Sequence, residues 1–185
     1  MTDRLVRPEL GHHWTVADLQ LMPDDGLRYE LIDGSLHVTP PPALPHGWTI
    51  ARLRAQLFPQ TPDEFLAGEN IGVDLGADNY RVPDMIIVRQ ATTKLTGPHL
   101  EPQDVLVAVE VLSPTNRGDD LVMKRYQYGR ARIGQYWIVD PREQTFTVLR
   151  HDGVESYVEA AVVRAGEAWR TDDPFPLALD PADFL

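Results

Sequence analysis

Cysteine is absent from all 185 residues, which excludes disulfide scaffolds, cysteine-ligated zinc, iron–sulfur clusters and thiol catalysis. Long apolar runs are lacking too. The longest, such as Val105 to Val109, fall far short of the ~20 residues that cross a bilayer, and the start up to Trp14 has no leader-like apolar stretch. A cytoplasmic protein with no membrane role is therefore expected. Positive charge is scarce: 17 Lys+Arg stand against 28 Asp+Glu, a net charge of −11. Such a chain is not drawn nonspecifically to phosphate backbones, so any nucleic-acid role must rest on a local basic surface. No phosphate-cradling glycine loop, no Gly-x-Ser-x-Gly elbow and no zinc-ligand spacing of histidines is present.

What the chain does have is 43% hydrophobic residues, enough to bury a core, and a length that suits one domain at roughly 150 residues per domain. Thr15 and Asp18 form a capping-box pattern ahead of Val16, Leu19 and Met22, which predicts a short helix over 15–22. Residues 28–39 alternate around Asp33-Gly34, a hairpin signal, and Pro40-Pro41-Pro42 stops the second strand. A helix is expected from about His46, with Ile50, Leu53 and Leu57 on one face, ending before Pro59. The runs Met85 to Val88 and Val105 to Leu112 read as strands buried on both faces, joined by a mobile or helical connection over 89–104. Asp119 to Ile133 reads as a helix, acidic first and basic last. Three antiparallel strands follow at 136–140, 145–150 and 154–163, and the tail from Gly166 is rich in Pro and Asp. The sum is an α/β domain around one mixed sheet.

The candidate chemistry lies in acids placed where acids are costly. Alternation along Val105 to Leu112 puts Val105, Val107, Val109 and Val111 on one face and Glu110 on the other, inside a buried strand. An unpaired carboxylate there costs several kcal/mol, so an arginine, a proton or a metal ion must compensate it. Asp84 sits at the mouth of the other apolar strand, either as a turn residue or as a partner for Glu110. If the strands are neighbours the two carboxylates converge, and hard oxygen ligands suit magnesium or manganese. Lys124 shares a helix face with Leu121 and Tyr128. Its amine lies either in water above an apolar stem or against the two carboxylates.

Pro83-Asp84, then Val109-Glu110-Val111-Leu112-Ser113-Pro114, then Lys124 with Tyr126 and Tyr128, then Tyr136-Trp137-Ile138-Val139-Asp140-Pro141 form a fairly specific series. With Arg28-Tyr29-Glu30-Leu31-Ile32-Asp33-Gly34, the prolines and His46, the chain resembles the Uma-two-type restriction endonucleases of the PD-(D/E)xK superfamily over roughly residues 14–185. Residues 1–13 are then an N-terminal arm. The resemblance implies a restriction-endonuclease-like mixed β-sheet flanked by helices and magnesium-dependent hydrolysis of DNA phosphodiesters, with manganese as a substitute. It further implies that Asp84 and Glu110 hold the metal, that Glu30 assists, and that Lys124 supplies the amine. The superfamily's usual lysine position, two residues after the strand acid, is Leu112 here. Gln135 stands where the family would have a glutamate. Glu30 has an alternative as an exposed strand residue, and His46 as a helix-start residue contacting solvent or backbone.

Between Asn116 and Arg150, seven basic residues (Arg117, Lys124, Arg125, Arg130, Arg132, Arg142, Arg150) exceed four acids, leaving the rest of the chain at −14. This is either a basic ridge for phosphate or a solvated helix face. The leading expectation is a metal-dependent DNA endonuclease, with a homodimer as the simplest way to cut both strands. A catalytically idle fold that binds protein or nucleic acid is the second reading, and an enzyme acting on a small phosphate compound the third.

Overall fold

The structure, a computed structural model, describes residues 11–94, 97–114 and 116–185; most of the expected N-terminal arm lies outside them. A single turn, α1 (Val16–Leu19), is closed by Asp18 Oδ2 accepting the Thr15 amide at 2.8 Å. β1 (Arg28–Ile32) and β2 (Ser35–Thr39) form the expected hairpin, with Asp33 and Gly34 at φ 49° and 73°, the left-handed pair a two-residue turn needs. α2 (Leu44–Leu57) begins two residues before His46, carries a proline in its first turn and turns Thr49, Ile50, Leu53 and Leu57 inward. β3 (Phe65–Glu69), β4 (Val73–Gly76) and β5 (Asn79–Arg81) occupy a stretch that reads as loop in the sequence. β6 (Met85–Arg89) and β7 (Val105–Val111) are the two apolar runs. The predicted helix starts at Arg117, opens into a wide π-type turn over Asp119–Lys124 and ends as α3 (Arg125–Arg130). β8 (Gln135–Asp140), β9 (Thr145–His151) and β10 (Tyr157–Arg164) follow, and the tail forms a small hairpin, β11 (Trp169–Thr171) with β12 (Leu177–Leu179).

The main sheet has six strands in the order β10-β9-β8-β7-β6-β3. β7 and β8 run parallel and their neighbours antiparallel. A parallel pair needs a crossover, and the helix from Arg117 to Arg130 supplies it. The main sheet is the expected mixed sheet; beside it β2-β1-β5-β4 form a second, four-stranded sheet, and the tail hairpin is a third. Beyond the legible β1–β2 hairpin, the strands of these two sheets are three or four residues long, so alternation over so few positions gives little signal.

Each face of the main sheet carries its own core. On one side Val107, Val109 and Val111 pack with Ile50, Leu53 and Leu57 of α2 and with Phe175, Leu177, Leu179 and Phe184 of the tail. On the other, Ala108 and Leu112 pack with Tyr128, Ile133, Tyr136 and Ile138. Val105 joins this second side, against the simple alternation, because the pairing of β6 with β7 shifts by one between Ile87 and Val88; such a bulge reverses the side on which earlier residues project. Glu110 thus faces the crossover helix. Among the described residues, no helix is long and apolar enough to cross a membrane.

Candidate active site

Strand register sets the site. Met85 pairs with Val109 in antiparallel β6 and β7, so Asp84, one residue before β6, stands across from Glu110. Both are about 1% exposed. Asp84 Oδ2 accepts the amide of Val111 at 2.9 Å, and Oδ1 accepts two N–H groups of the Arg28 guanidinium at 3.1 and 3.2 Å. The imidazole of His46, on the first turn of α2, brings Nε2 to 3.1 Å from Oδ2 without hydrogen-bond alignment. Burial pushes the Asp84 carboxyl up, but His46, Arg28 and Lys124 outweigh it and hold the pKa at about 2.

Glu110 is met from the crossover helix. Lys124 Nζ lies 2.9 Å from Glu110 Oε2 and 2.9 Å from Asp120 Oδ1, and the Tyr128 hydroxyl donates to Glu110 Oε1 at 2.9 Å. Asp120, Lys124 and Tyr128 are four residues apart, so each lies about one turn from the next on one side of the helix. The Tyr136 hydroxyl donates to the Asp120 backbone carbonyl at 2.8 Å and fixes the wide turn to β8. Burial, with the carboxylates of Asp84, Asp120 and Glu30 nearby, raises Glu110 well above the usual carboxylate range, against the pull of Lys124. Burial alone would lower the Lys124 amine; Glu110, Glu30, Asp120 and Asp84 instead raise it, so it stays charged.

Glu30 reaches the edge of this group through a buried arginine. Its Oε1 accepts the Val82 amide at 2.8 Å, and its Oε2 lies 3.3 Å from Arg81 Nη1. Arg81 also binds both carboxylate oxygens of Asp119, at 2.9 and 3.1 Å, and Gln127 Oε1 at 2.7 Å. The second sheet is thereby clamped to the turn that carries Lys124.

The structure therefore brings together Asp84, Glu110 and Lys124, with Glu30 linked through Arg81. Glu30 is buried rather than an exposed strand residue, and Lys124 is 3% exposed, so its amine is not in water. His46 faces Asp84 rather than solvent or backbone. Gln135 lies apart: it donates to the Asp173 carbonyl and accepts from the Trp137 indole. Arg28, Arg81, Asp120 and Tyr128 were not read as site residues. The spacing from Asp120 through Lys124 to Tyr128 was the available signal for two of them; nothing local marks the arginines. Of the basic ridge, Lys124 is buried on Glu110, Arg117 pairs with Asp140 at 2.7 Å, Arg125 donates to the Tyr157 carbonyl and Arg150 to Thr171, while Arg125, Arg130, Arg132, Arg142 and Arg150 remain exposed.

Residues 16–182 match the family Uma2, described as "Putative restriction endonuclease". The chain belongs to the Uma2 family. A solved structure of similar shape is a putative nuclease belonging to DUF820 from Anabaena variabilis ATCC 29413, with a TM-score of 0.68 and 18% identity, covering 92% of this chain and 96% of that one. At that identity the likeness speaks to the fold, which is the restriction-endonuclease-like mixed sheet flanked by helices. No curated protein matches.

The donor set of the site accommodates a divalent ion. Five carboxylates (Glu30, Asp84, Glu110, Asp119, Asp120) face three permanent cations (Arg28, Arg81, Lys124). Asp120 Oδ1 and His46 Nε2 are buried without an aligned hydrogen bond. A buried group of hard oxygens suits a divalent ion. Among the described residues, a separate set of Asp74, His99 and Glu101 also brings its ligand atoms within 4.8 Å of one another; it includes neither Asp84 nor Glu110.

Proposed function

We propose that this protein is a divalent-metal-dependent endonuclease that hydrolyses phosphodiester bonds in DNA. The observation that carries the reading is the buried Asp84–Glu110 register pair with the Lys124 ammonium on Glu110. Asp84 and Glu110 would hold Mg²⁺, or Mn²⁺ in its place. Such an ion supplies Lewis-acid polarisation of the phosphoryl group and a water of lowered pKa. In the reaction a water oxygen bonds to phosphorus, the ester P–O bond breaks, and the leaving oxygen takes up a proton. Lys124 provides a fixed positive charge beside the acids, where charge builds on the phosphoryl oxygens. Tyr128 and Asp120 orient Glu110 and Lys124, and Arg81 with Glu30 holds the turn that carries them. His46 and Arg28 keep Asp84 ionised.

A Lys124 pointing away from the acids would favour the idle-fold alternative, whereas its amine stands 2.9 Å from Glu110. The test is cleavage of supercoiled plasmid and single-stranded DNA with magnesium, manganese or EDTA, using wild type beside Asp84→Ala, Glu110→Ala and Lys124→Ala. Metal-dependent nicking that all three variants lose is expected. Cleavage that persists in the Asp84 and Glu110 variants, or folded wild-type protein that cuts nothing, sinks the reading.

A further inference from the structure

Beside the carboxylates lies a cleft of about 390 Å³ whose walls include Leu27, Tyr29, Pro40, Pro41, Pro42 and Tyr80. Its polar lining includes Arg28 and Asn70. Arg28 joins the cleft to the site: one guanidinium nitrogen bonds both Asp84 Oδ1 and Asn70 Oδ1. Val82, another wall residue, donates its amide to Glu30. The wall is built by the β1–β2 hairpin, in which Tyr29 pairs with Val38 and Arg28 with Thr39, so the proline run leaves directly beside Arg28. Val38 and Leu27 are 46% and 40% exposed, and they extend the apolar surface outward.

Such walls offer nothing to the outside of a duplex. Duplex DNA presents phosphates at a density of about one charge per 1.7 Å, and its binders neutralise several of them with Lys and Arg. Here Arg28 is the one cation among the lining residues, and the net charge is −11. An unpaired base, by contrast, has two apolar faces that stack on Tyr and Pro and an edge that Asn and Arg can bond. The volume lies in the range of sites that enclose small planar ligands.

We propose that this cleft takes an unpaired nucleotide next to the scissile phosphate, so that the preferred substrate is single-stranded or locally unpaired DNA rather than continuous duplex. This deepens the endonuclease reading and rests on it for the cut itself. Arg28 would meet the phosphate while the base lies between Leu27, Tyr29 and the prolines. One strand needs one site, so a symmetric dimer is not required.

The test measures binding and cleavage separately, with a fluorescent oligonucleotide in three forms of one sequence: single strand, full duplex, and duplex with a central unpaired bubble. Binding is followed in calcium and cleavage in magnesium, for wild type, Leu27→Glu, Tyr29→Ala and the distant control Val162→Glu on β10. Single strand and bubble are expected to bind at least tenfold tighter than duplex and to be cut faster. Leu27→Glu and Tyr29→Ala should each lose about tenfold in single-strand affinity, with Val162→Glu unchanged. Leu27 is exposed, so its variant tests the cleft even if Tyr29→Ala misfolds. Duplex bound and cut as well as single strand overturns the proposal and leaves the endonuclease reading standing. A protein that binds the unpaired forms selectively but cuts none loses the endonuclease reading and keeps the cleft assignment. Equal binding of free deoxythymidine monophosphate and of the strand would make this a free-nucleotide pocket and also overturns it.

Discussion

Asp84 Oδ2 accepts the backbone amide of Val111 at 2.9 Å, so this carboxylate is fixed to the residue that follows Glu110 in β7. The bond occupies the place of a sheet hydrogen bond just beyond the last paired residue of β6. A side chain thus continues the ladder that the backbone has left, and an acid is held at depth by the sheet itself. Asp84 keeps its aim through backbone geometry, whereas Glu110 depends on the crossover helix.

That dependence makes Lys124 the sensitive point. Removing one member of a buried ion pair strands the other, at a cost of about 3–5 kcal/mol. Lys124→Met should therefore destabilise the fold by roughly that amount, read by urea denaturation in EDTA. Adding Glu110→Gln to Lys124→Met should recover part of the loss, because the stranded charge is gone. A Lys124→Met protein as stable as wild type would mean that the amine does not neutralise Glu110.

Arg81 holds Glu30, Asp119 and Gln127 at once, at 2.7 to 3.3 Å. A lysine cannot reproduce that planar fork, so Arg81→Lys should cost about 2–4 kcal/mol and lower kcat more than it changes KM. Arg81→Met should cost at least as much. If Arg81→Lys keeps both stability and kcat, the clamp does not position the turn that carries Lys124.

The acids of the candidate site were legible because buried strands announce themselves. Met85 to Val88 and Val105 to Leu112 are apolar enough that Asp84 and Glu110 stand out against them, and their pairing needed only the assumption that the strands are neighbours. The partners of those acids were harder to see. Arg81 lies on a three-residue strand too short to register, and Arg28, although on the legible hairpin, reaches Asp84 across 56 residues of sequence, a contact no local pattern encodes. His46 reaches Asp84 through the packing of α2, which no local pattern encodes. The tail was opaque for a related reason: its apolar residues, Phe175, Leu177, Leu179 and Phe184, are spaced among Pro and Asp, yet all four complete the α2-side core.

Asp84 also predicts an acid-sensitive window. Its folded pKa of about 2 lies below the ordinary 3.8, so its contribution is full above pH 3.8 and is lost as pH falls toward 2. At about 1.4 kcal/mol per pKa unit the loss is roughly 2 kcal/mol. Glu110 works in the opposite sense: its raised pKa favours the folded state below its ordinary 4.5 and that gain fades as pH rises above it. The two windows are therefore separate. Urea denaturation in EDTA at pH 4, 3 and 2 should show wild type losing more stability than Asp84→Asn, with the difference confined to that range. Parallel curves for the two proteins would show that Asp84 is not held ionised in the fold.

An ion that binds only the folded protein raises its apparent stability in proportion to the logarithm of its concentration over Kd. At a hundredfold excess over Kd the gain is about 2.7 kcal/mol, or roughly 5–10 °C in Tm for a domain of this size. Adding magnesium or manganese to the EDTA-treated protein should therefore raise Tm, and the rise should vanish in both Asp84→Asn and Glu110→Gln. Asp74, His99 and Glu101 form the other group of ligand type among the described residues, so Asp74→Ala is the decisive control. A rise that survives Asp74→Ala and disappears with Asp84 and Glu110 assigns the ion to the buried acids. A rise that disappears with Asp74 alone assigns it to the other cluster and removes the metal from the proposed chemistry. No rise at all, with every protein folded at the start, would leave Asp84 and Glu110 as a charge pair neutralised by Lys124 and Arg28 without a metal.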